Sequence, residues 1–148
     1  MRGRRFMTVR QVEDFGAFHF ATEFRLEVYR LIERSPGASN DFRYKGQLQD
    51  AVSGIEGTMA EGFGRGRPKE FALYLRYSLG SIRESQTRLR DGIDRGYFRE
   101  ANCRLAFTWA GRCRYATAAL WRSQERRARE EEERARKKRP DKKKPGDS

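Results

Sequence analysis

The sequence predicts an all-α protein, an antiparallel up-down-up-down bundle of four helices with a charged, partly disordered C-terminal extension. Two observations support this fold class. Apolar residues recur at steps of three and four in four successive segments, the spacing that places them on one face of an α-helix. Short stretches containing glycine or proline separate these segments, and no stretch alternates apolar and polar residues as a half-buried strand does.

The first two helices are predicted over residues 15–34 and 42–64. The break between them contains proline and glycine, and either Asn40 or Asp41 can cap the second helix. That second helix holds glycines that cost about 1 kcal/mol each relative to alanine, so it needs tertiary packing. Its small residues form a stripe along which another helix can approach closely: Ala51, Gly54, Thr58 and Glu61.

The third helix is predicted to begin at Pro68, which suits a first helical position, and to end just before Gly96. Its apolar residues follow a heptad repeat. The fourth helix is predicted from about Arg99 to Trp121, after which large apolar residues stop. A bundle of about 110 residues can bury a modest hydrophobic core.

Both ends of the chain are expected to lie outside the bundle. Residues 1–12 form a basic arm, residues 13–122 the bundle, and residues 123–148 a charged tail. The fourth helix is expected to continue, solvated, to about Arg139, with Pro140 ending it and disorder beyond. Pairs at four-residue spacing support this extension by about 0.2–0.5 kcal/mol each. These pairs are Glu130–Arg134, Glu132–Arg136 and Glu133–Lys137.

The charge balance points to a polyanionic partner. The chain carries 33 basic and 21 acidic residues, a net charge of +12, and arginine far outnumbers lysine. Arginine binds phosphate bidentately and stacks on bases, so RNA or DNA is the expected partner. A GC-rich genome, whose codons favour arginine, is an alternative source of the same composition.

Several protein classes are disfavoured. No apolar run of 18 residues is present to span a membrane, and no apolar segment of a signal peptide follows the basic start, so a cytoplasmic location is expected. His19 is the single histidine, and the spacing of Cys103 and Cys113 on one helix prevents a disulfide. We therefore expect two free thiols, no metal, no cofactor and no enzymatic activity.

A series of short motifs between residues 47 and 84 carries more specific information than any single motif. The order of the motifs and the number of residues between them together define a pattern. The motifs are Gln47-Leu48, Ala51-Val52-Ser53-Gly54-Ile55, Ala60-Glu61-Gly62-Phe63-Gly64-Arg65, Lys69-Glu70-Phe71 and Leu79-Gly80-Ser81-Ile82-Arg83-Glu84. The series resembles the four-helix-bundle proteins named for the 23S rRNA intervening sequence. The resemblance covers about residues 13–122.

This resemblance implies a four-helix bundle that assembles as a ring-like homo-oligomer, a pentamer. Many relatives are encoded inside insertions of rRNA genes, and their function is poorly defined. Accessory proteins of diversity-generating retroelements are similar in fold, and their rings bind nucleic acid and a reverse transcriptase. The chain resembles the rRNA-insertion branch more closely, because it carries the Ala-Glu-Gly motif.

Two departures separate the chain from the family pattern. Thr58 and Met59 stand in place of the first two residues of the family's Asn-Ile-Ala-Glu-Gly. Gln49 and Asp50 stand where basic residues usually follow Gln-Leu. If those basic residues contact RNA in relatives, this chain contacts RNA differently or not at all.

Two groups of cations are candidate contacts to nucleic-acid phosphates. The first is in the glycine-rich turn before the third helix and consists of Arg65, Arg67 and Lys69. The second is in the tail and consists of Arg134, Arg136, Lys137, Lys138, Arg139, Lys142, Lys143 and Lys144. An ordinary solvated turn and a solvated charge run are the alternatives.

Five residues of the family motifs are assigned to structural or subunit contacts: Glu61, Gly62, Gly80, Ser81 and Glu84. The two glutamates are of a type that can do acid–base work, but no nucleophile, histidine base or metal set accompanies them, so pairing with arginines is expected. Aromatic residues interleaved with arginines in the second half could stack bases, although packing is expected to use most of them.

The leading hypothesis is a non-enzymatic, oligomeric adaptor that binds RNA or DNA through backbone phosphates with weak sequence preference. One alternative is an accessory protein of a diversity-generating retroelement, which binds a reverse transcriptase and its template RNA. Another is a protein–protein interaction scaffold that binds no nucleic acid.

Overall fold

The computed structural model describes residues 11–140 and Gly146, and this part of the chain is helical with no β-strand. The prediction of an all-α protein is therefore confirmed. Two short 3-10 helices, Val12–Asp14 and Glu100–Cys103, precede the first and the last α-helix of this region. The α-helices are α1 (Gly16–Arg34), α2 (Pro36–Asn40), α3 (Phe42–Gly64), α4 (Pro68–Asp94) and α5 (Arg104–Lys137).

The short helix α2 occupies the segment for which the sequence predicts only a break. The Ser35 hydroxyl accepts a hydrogen bond from the Ala38 backbone N–H at 3.1 Å and donates one to the Tyr97 carbonyl at 2.7 Å. Pro36 suits the first helical position, and Ala38 is buried. The cap by Ser35 and the burial of Ala38 together stabilise about one helical turn where the sequence predicts a break. The local sequence does not reveal this burial.

The predicted cap of the next helix is present. Asp41 precedes α3, and its carboxylate accepts a hydrogen bond from the Tyr44 backbone N–H at 3.1 Å. The end of α4 also follows the prediction, since Gly96 comes just after the helix with a φ of +78°. The last helix begins at Arg104 rather than near Arg99, because residues 100–103 form the 3-10 helix instead.

The four long helices form a helical bundle around one hydrophobic core. Both α1 and α4 pack against α3 and α5. The largest fully buried apolar side chains come from all of these helices except α5, which contributes small residues and Cys113. The central large residues are Phe24, Val28, Leu48, Val52, Ile55, Met59, Leu75, Ile82 and Leu89.

The helices α3 and α4 approach each other closely along the predicted stripe of small residues. A Cβ added at Gly54 would lie 3.5 Å from the Ser81 hydroxyl oxygen. The hydroxyl oxygens of Thr58 and Ser78 lie 2.6 Å apart in a hydrogen bond, and Ser78 is fully buried. Gly54 therefore lies at this helix contact, as the predicted stripe requires, whereas Gly46, Gly57 and Gly64 of the same helix have no heavy atom within 4 Å of the position a Cβ would take.

Helix α5 continues well beyond the bundle's apolar residues. Its 34 residues extend it to Lys137, close to the predicted end near Arg139. The three predicted four-residue pairs are wrong: none of Glu130–Arg134, Glu132–Arg136 and Glu133–Lys137 forms an ion pair among the described residues. Such exposed pairs stabilise by only about 0.2–0.5 kcal/mol, too little to hold two long side chains together.

Both cysteines are free and buried, which confirms the prediction of two thiols. Burial raises the pKa of the Cys113 thiol to about 12 and also raises the pKa of Cys103. Within the described part of the chain, no helix has an apolar stretch of the length that crossing a bilayer requires.

Candidate nucleic-acid interface

The glycine-rich turn between α3 and α4 is shaped by its backbone. Gly66 has a φ of +76°, a left-handed conformation that glycine adopts without strain. Arg67 is extended and precedes α4, and Pro68 takes the first helical position. The Arg67 side chain is exposed and forms no ion pair with another described residue. It is therefore the turn cation most available to an external phosphate.

Arg65 is held within the chain. Its guanidinium donates a hydrogen bond to the Tyr74 hydroxyl oxygen at 2.8 Å, pairs with Glu61 at 3.2 Å and lies over the Tyr74 ring. The hydrogen bond to Glu61 raises the pKa of Arg65. The pKa of Tyr74 is also raised, mainly by desolvation and to a smaller extent by its hydrogen bond to Glu61. Glu61 therefore forms the ion pair with an arginine that the sequence predicts. It also accepts a hydrogen bond from the Tyr74 hydroxyl and so links α3 to α4.

Lys69 connects the turn to the charged part of α5. Its amino group lies 3.4 Å from a carboxylate oxygen of Glu132, and both side chains are exposed. Close by, Arg67 shares a cleft with Gln124 and Arg127 of α5. The two cation groups that the sequence predicts separately, in the turn and after the bundle, therefore lie at the same end of the molecule.

The tail cations that the structure describes are exposed at the end of α5. Arg134, Arg136 and Lys137 lie in its last turns, and Lys138 and Arg139 follow directly. None of their side chains forms an ion pair among the described residues. Cations at a helix C-terminus are stabilised by the helix dipole, which favours this helical end. The remaining candidates, Lys142, Lys143 and Lys144, lie outside the described residues.

The family-motif residues of α3 and α4 have different surroundings. Gly62 is buried, and a Cβ there would collide with the Tyr74 Cβ. Gly80 is exposed, with no heavy atom within 4 Å of the position a Cβ would take, so packing inside the chain does not require glycine there. Ser81 lies beside Gly54, and Glu84 pairs with Arg88 at 3.9 Å. Only Gly80 has no explanation within one subunit.

Sequence reasoning missed a row of cations along α4. Arg76, Arg83 and Arg90 follow Lys69 at seven-residue intervals, and all four are exposed. Arg83 and Arg90 share a cleft with Arg114 of α5. The seven-residue interval of these cations is visible in the sequence. The apolar residues of the same helix repeat with the same period, so the sequence pattern of this helix was interpreted as a packing signal only.

A model of the family described as 23S rRNA-intervening sequence protein matches residues 13–108 of the chain. The match therefore spans α1 to α4 and the beginning of α5, including every motif between residues 47 and 84. The charged last part of α5 lies outside the match. Comparison with curated proteins found no match.

Proposed function

This chain belongs to the family of 23S rRNA-intervening sequence proteins, and on that premise we propose that it is a non-enzymatic, oligomeric adaptor that binds RNA through the phosphate backbone. The name of the family, which refers to an intervening sequence of 23S rRNA, supports an RNA-associated role. The chemistry of its surface supplies the mode of binding, since exposed arginines form bidentate contacts with phosphate.

The observation that carries the proposal is the joining of two basic segments at one end of the molecule. The contact between Lys69 and Glu132 brings the α3–α4 turn beside the last part of α5. Arg67 shares a cleft with Arg127 and Glu131 of α5. The exposed cations from Arg134 to Arg139 follow on the same helix, just after the run of glutamates at positions 130–133. Clustered exposed cations raise the local concentration of a polyanion and increase its association rate.

Binding through this surface has little sequence preference. Its arginines and lysines project from helices and a turn, where they reach phosphates rather than the edges of bases. A weak sequence preference suits an adaptor that holds an RNA for a partner. A reverse transcriptase with its template RNA would use the same surface, and an adjacent reverse-transcriptase gene would favour that partner.

The helices serve as a rigid support, and we propose that they run up-down-up-down. Contacts along α3 and α4 support this direction: Gly62 near the end of α3 lies against Tyr74, whereas Tyr44 near its beginning donates a hydrogen bond to the Arg88 carbonyl at 2.6 Å. Contacts in opposite order along two helices are those of antiparallel neighbours.

We also propose that the chain forms a homo-oligomer, and the family resemblance implies a pentamer. Leu73 and Tyr77 are large side chains about half exposed on α4, and Gly80 follows them on the same outer side. A glycine without a packing role inside the subunit is explained if a neighbouring subunit approaches its backbone.

The experiment compares the RNA affinity of full-length variants across a salt series. Binding is measured by the fluorescence anisotropy of a labelled structured RNA. A tail variant carries Arg134→Gln, Arg136→Gln and Lys137→Gln. A control variant carries Arg34→Gln, Arg43→Gln and Arg99→Gln, three exposed cations outside the proposed surface. The slope of log affinity against log salt should fall by about 2 to 3 in the tail variant and remain unchanged in the control.

Two results would contradict the proposal. Equal slopes for the tail and control variants would mean that net charge, not this surface, governs binding. An absence of RNA binding by the wild-type chain even at low salt would overturn RNA binding altogether and favour a protein-interaction scaffold.

A further inference from the structure

A small cleft lies at the end of the bundle, between the α3–α4 turn and α5. Its volume is about 280 Å³. Pockets for drug-sized ligands range from about 300 to 1,000 Å³, so this cleft has room for a small molecule or for one part of a larger one. Arg67 lines it from the turn, and Gln124 and Arg127 line it from α5. These two α5 residues are three positions apart and therefore share one face of the helix.

The apolar part of the lining is aromatic. Phe15, Phe63 and Phe71 line the cleft, and their ring centroids lie 5.7 to 5.8 Å from one another. Phe71 is buried, whereas Phe15 and Phe63 keep part of their surface exposed. Aromatic rings with free surface are contact sites for a flat, apolar ligand face, and nucleobases have such a face.

A buried amide without a hydrogen-bond partner belongs to the same lining. Only 6% of Gln124 is exposed, and its side chain forms no hydrogen bond within the described part of the chain. The amide is not sealed inside the core, because Trp121 Nε1 is the only enclosed polar side-chain atom without a partner among the described residues. Since buried polar groups are normally hydrogen-bonded, a free amide at a cleft indicates a ligand that supplies the missing bonds.

The exposed part of the lining is charged. Arg67 and Arg127 form no ion pair with another described residue. Glu131 is the one acid among the lining residues, so the rim keeps a net positive charge. Guanidinium groups bind phosphate bidentately. The rim therefore suits a phosphate, whereas the rings and the amide suit an uncharged base.

The cleft and the proposed subunit contact use opposite sides of α4. Successive residues of an α-helix are about 100° apart around its axis, so Phe71 and Leu73 point in nearly opposite directions. The burial of the two residues agrees, since Phe71 is buried and Leu73 is about half exposed. A neighbouring subunit on the side of Leu73 therefore does not occupy the side that lines the cleft.

From these observations we infer that the cleft binds one unpaired nucleotide of an RNA. The base packs against the phenylalanine rings, and its polar edge pairs with the Gln124 amide, which can both donate and accept. The adjoining phosphates contact Arg67 and Arg127. A base inside a duplex is stacked and paired, so an unpaired base enters far more easily. This inference rests on the proposed function, to which it adds a preference for unpaired nucleotides and a single base contact.

The first test isolates the contribution of the base. The probes are two labelled RNA hairpins with a five-nucleotide overhang, made of adenosines in one and of nucleotides without bases in the other. Both overhangs carry the same phosphates, so a difference in affinity comes from the bases. The full-length wild type should bind the adenosine overhang at least about tenfold more tightly in fluorescence anisotropy, since stacking alone contributes about five- to a hundred-fold per base.

Gln124→Leu removes the amide and changes neither the charge nor much of the volume of the side chain. It should lower the ratio of the two affinities by about fivefold or more, because an amide paired with a base edge contributes a factor of this size. Gln49→Leu on α3 makes the same chemical change about 21 Å along the helix from Phe63, as estimated from the helix rise. This control should keep the wild-type ratio, and circular dichroism checks the helicity of both variants.

A double variant, Arg67→Gln with Arg127→Gln, tests the phosphate contacts. The salt slope for the adenosine overhang should fall by about 1.4, since each single-strand phosphate contact contributes about 0.7. The control is Arg34→Gln with Arg99→Gln, which removes the same charge from two exposed residues outside the cleft. The control should keep the wild-type slope, and equal slopes for the two double variants would overturn the phosphate contacts.

A crosslink locates the base without any substitution in the protein. An overhang that contains one 4-thiouridine should attach to the cleft under near-ultraviolet light. Mass spectrometry should then find the RNA on peptides that contain Phe15, Phe63 or Gln124. Crosslinks confined to other peptides would overturn the inference, whatever the folding of the variants.

The outcomes separate the inference from the proposed function. Equal wild-type affinities for the two overhangs would overturn the base contact and leave the adaptor function in place. Wild-type binding to neither hairpin would overturn both. An unchanged affinity ratio in Gln124→Leu would mean that the base binds elsewhere and would overturn the cleft. Adenosine monophosphate that competes as tightly as the overhang would indicate a free nucleotide as the ligand and overturn the assignment to RNA.

Discussion

Gly62 of α3 lies so close to Tyr74 of α4 that a Cβ on the glycine would collide with the Cβ of the tyrosine. The same tyrosine binds Arg65 and Glu61, so the close approach of the two helices also positions the side chains beside the basic turn. One glycine therefore couples the packing of the bundle to the shape of the proposed RNA-binding surface.

Gly62→Ala should destabilise the protein by about 1–3 kcal/mol, because the added carbon meets the base of a side chain that cannot swing away. Gly57→Ala on the same helix is the matched control, since nothing lies within 4 Å of its Cβ position. That control should stabilise the helix by about 0.5–1 kcal/mol. Urea denaturation measures both changes, and equal stability of the two variants would contradict the tight contact.

Asp41 should make stability depend on pH in the acid range. The hydrogen bond from the Tyr97 hydroxyl at 2.6 Å, with that from the Tyr44 N–H, lowers the pKa of Asp41. A lowered pKa in the folded state contributes stability above the unfolded value of about 3.9 and loses it as the pH falls through the folded value. Asp41→Asn keeps a helix cap but removes the charge.

We therefore expect Asp41→Asn to have a lower Tm than the wild type at pH 7. The difference should shrink as the pH falls below about 4, because the unfolded chain then binds the proton on this carboxyl group while the folded chain still holds it ionised. Thermal denaturation followed by circular dichroism from pH 7 to pH 3 measures this convergence. A Tm difference that stays constant down to pH 3 would show that charge at Asp41 does not contribute.

The two thiols should be unreactive in the folded protein. Burial raises the pKa of Cys113 to about 12, so almost none of it is thiolate at pH 8, and Cys103 is buried as well. A chromogenic disulfide reagent at pH 8 should label two thiols per chain in denaturant and neither of them rapidly without it. Fast labelling of one thiol in the native protein would contradict the burial of that residue.

Gly80→Gln should disrupt the proposed assembly without disturbing the subunit. Its Cβ position is open and exposed, so the longer side chain fits within one chain. Light scattering should give a molar mass falling toward the 17.4 kDa of a single chain, with unchanged helicity. Gly57→Gln on α3 is equally open and should keep the wild-type mass. Equal masses for the two variants would exclude this face of α4 as the subunit contact.

Local spacing explains why the long helices could be predicted closely. The apolar steps of α1 and α3, Pro68 at the start of α4 and Gly96 after its end are all signals within a few residues of the structure they specify. The cap by Asp41 is of the same kind. The short helix α2 could not be predicted this way, because it depends on Tyr97, whose carbonyl accepts from Ser35 across 62 residues.

The ion-pair partners of exposed side chains also could not be predicted from the spacing of residues along one helix. Glu132 was expected to pair with Arg136 one turn away, but it contacts Lys69 in α4 instead. Both pairings are weak and solvated, so the helix–helix packing determines which cation is within reach. The cleft that Arg83 shares with Arg114 arises in the same way, since only the packing of α4 against α5 brings these two arginines together.

The sequence by itself determined the fold class, the family and the cations of the turn and the tail, because periodicity, caps and motif order are written within short stretches of chain. Tertiary structure alone decided which of these cations are free. It ties Arg65 to Glu61 and Tyr74, joins the turn to α5 through Lys69, and leaves Arg67 without an ion-pair partner among the residues that the structure describes. The physical reason is that a cation is free to bind an external anion only if no acidic side chain lies beside it. Packing decides which side chains lie beside it, and these come from residues far apart in the sequence.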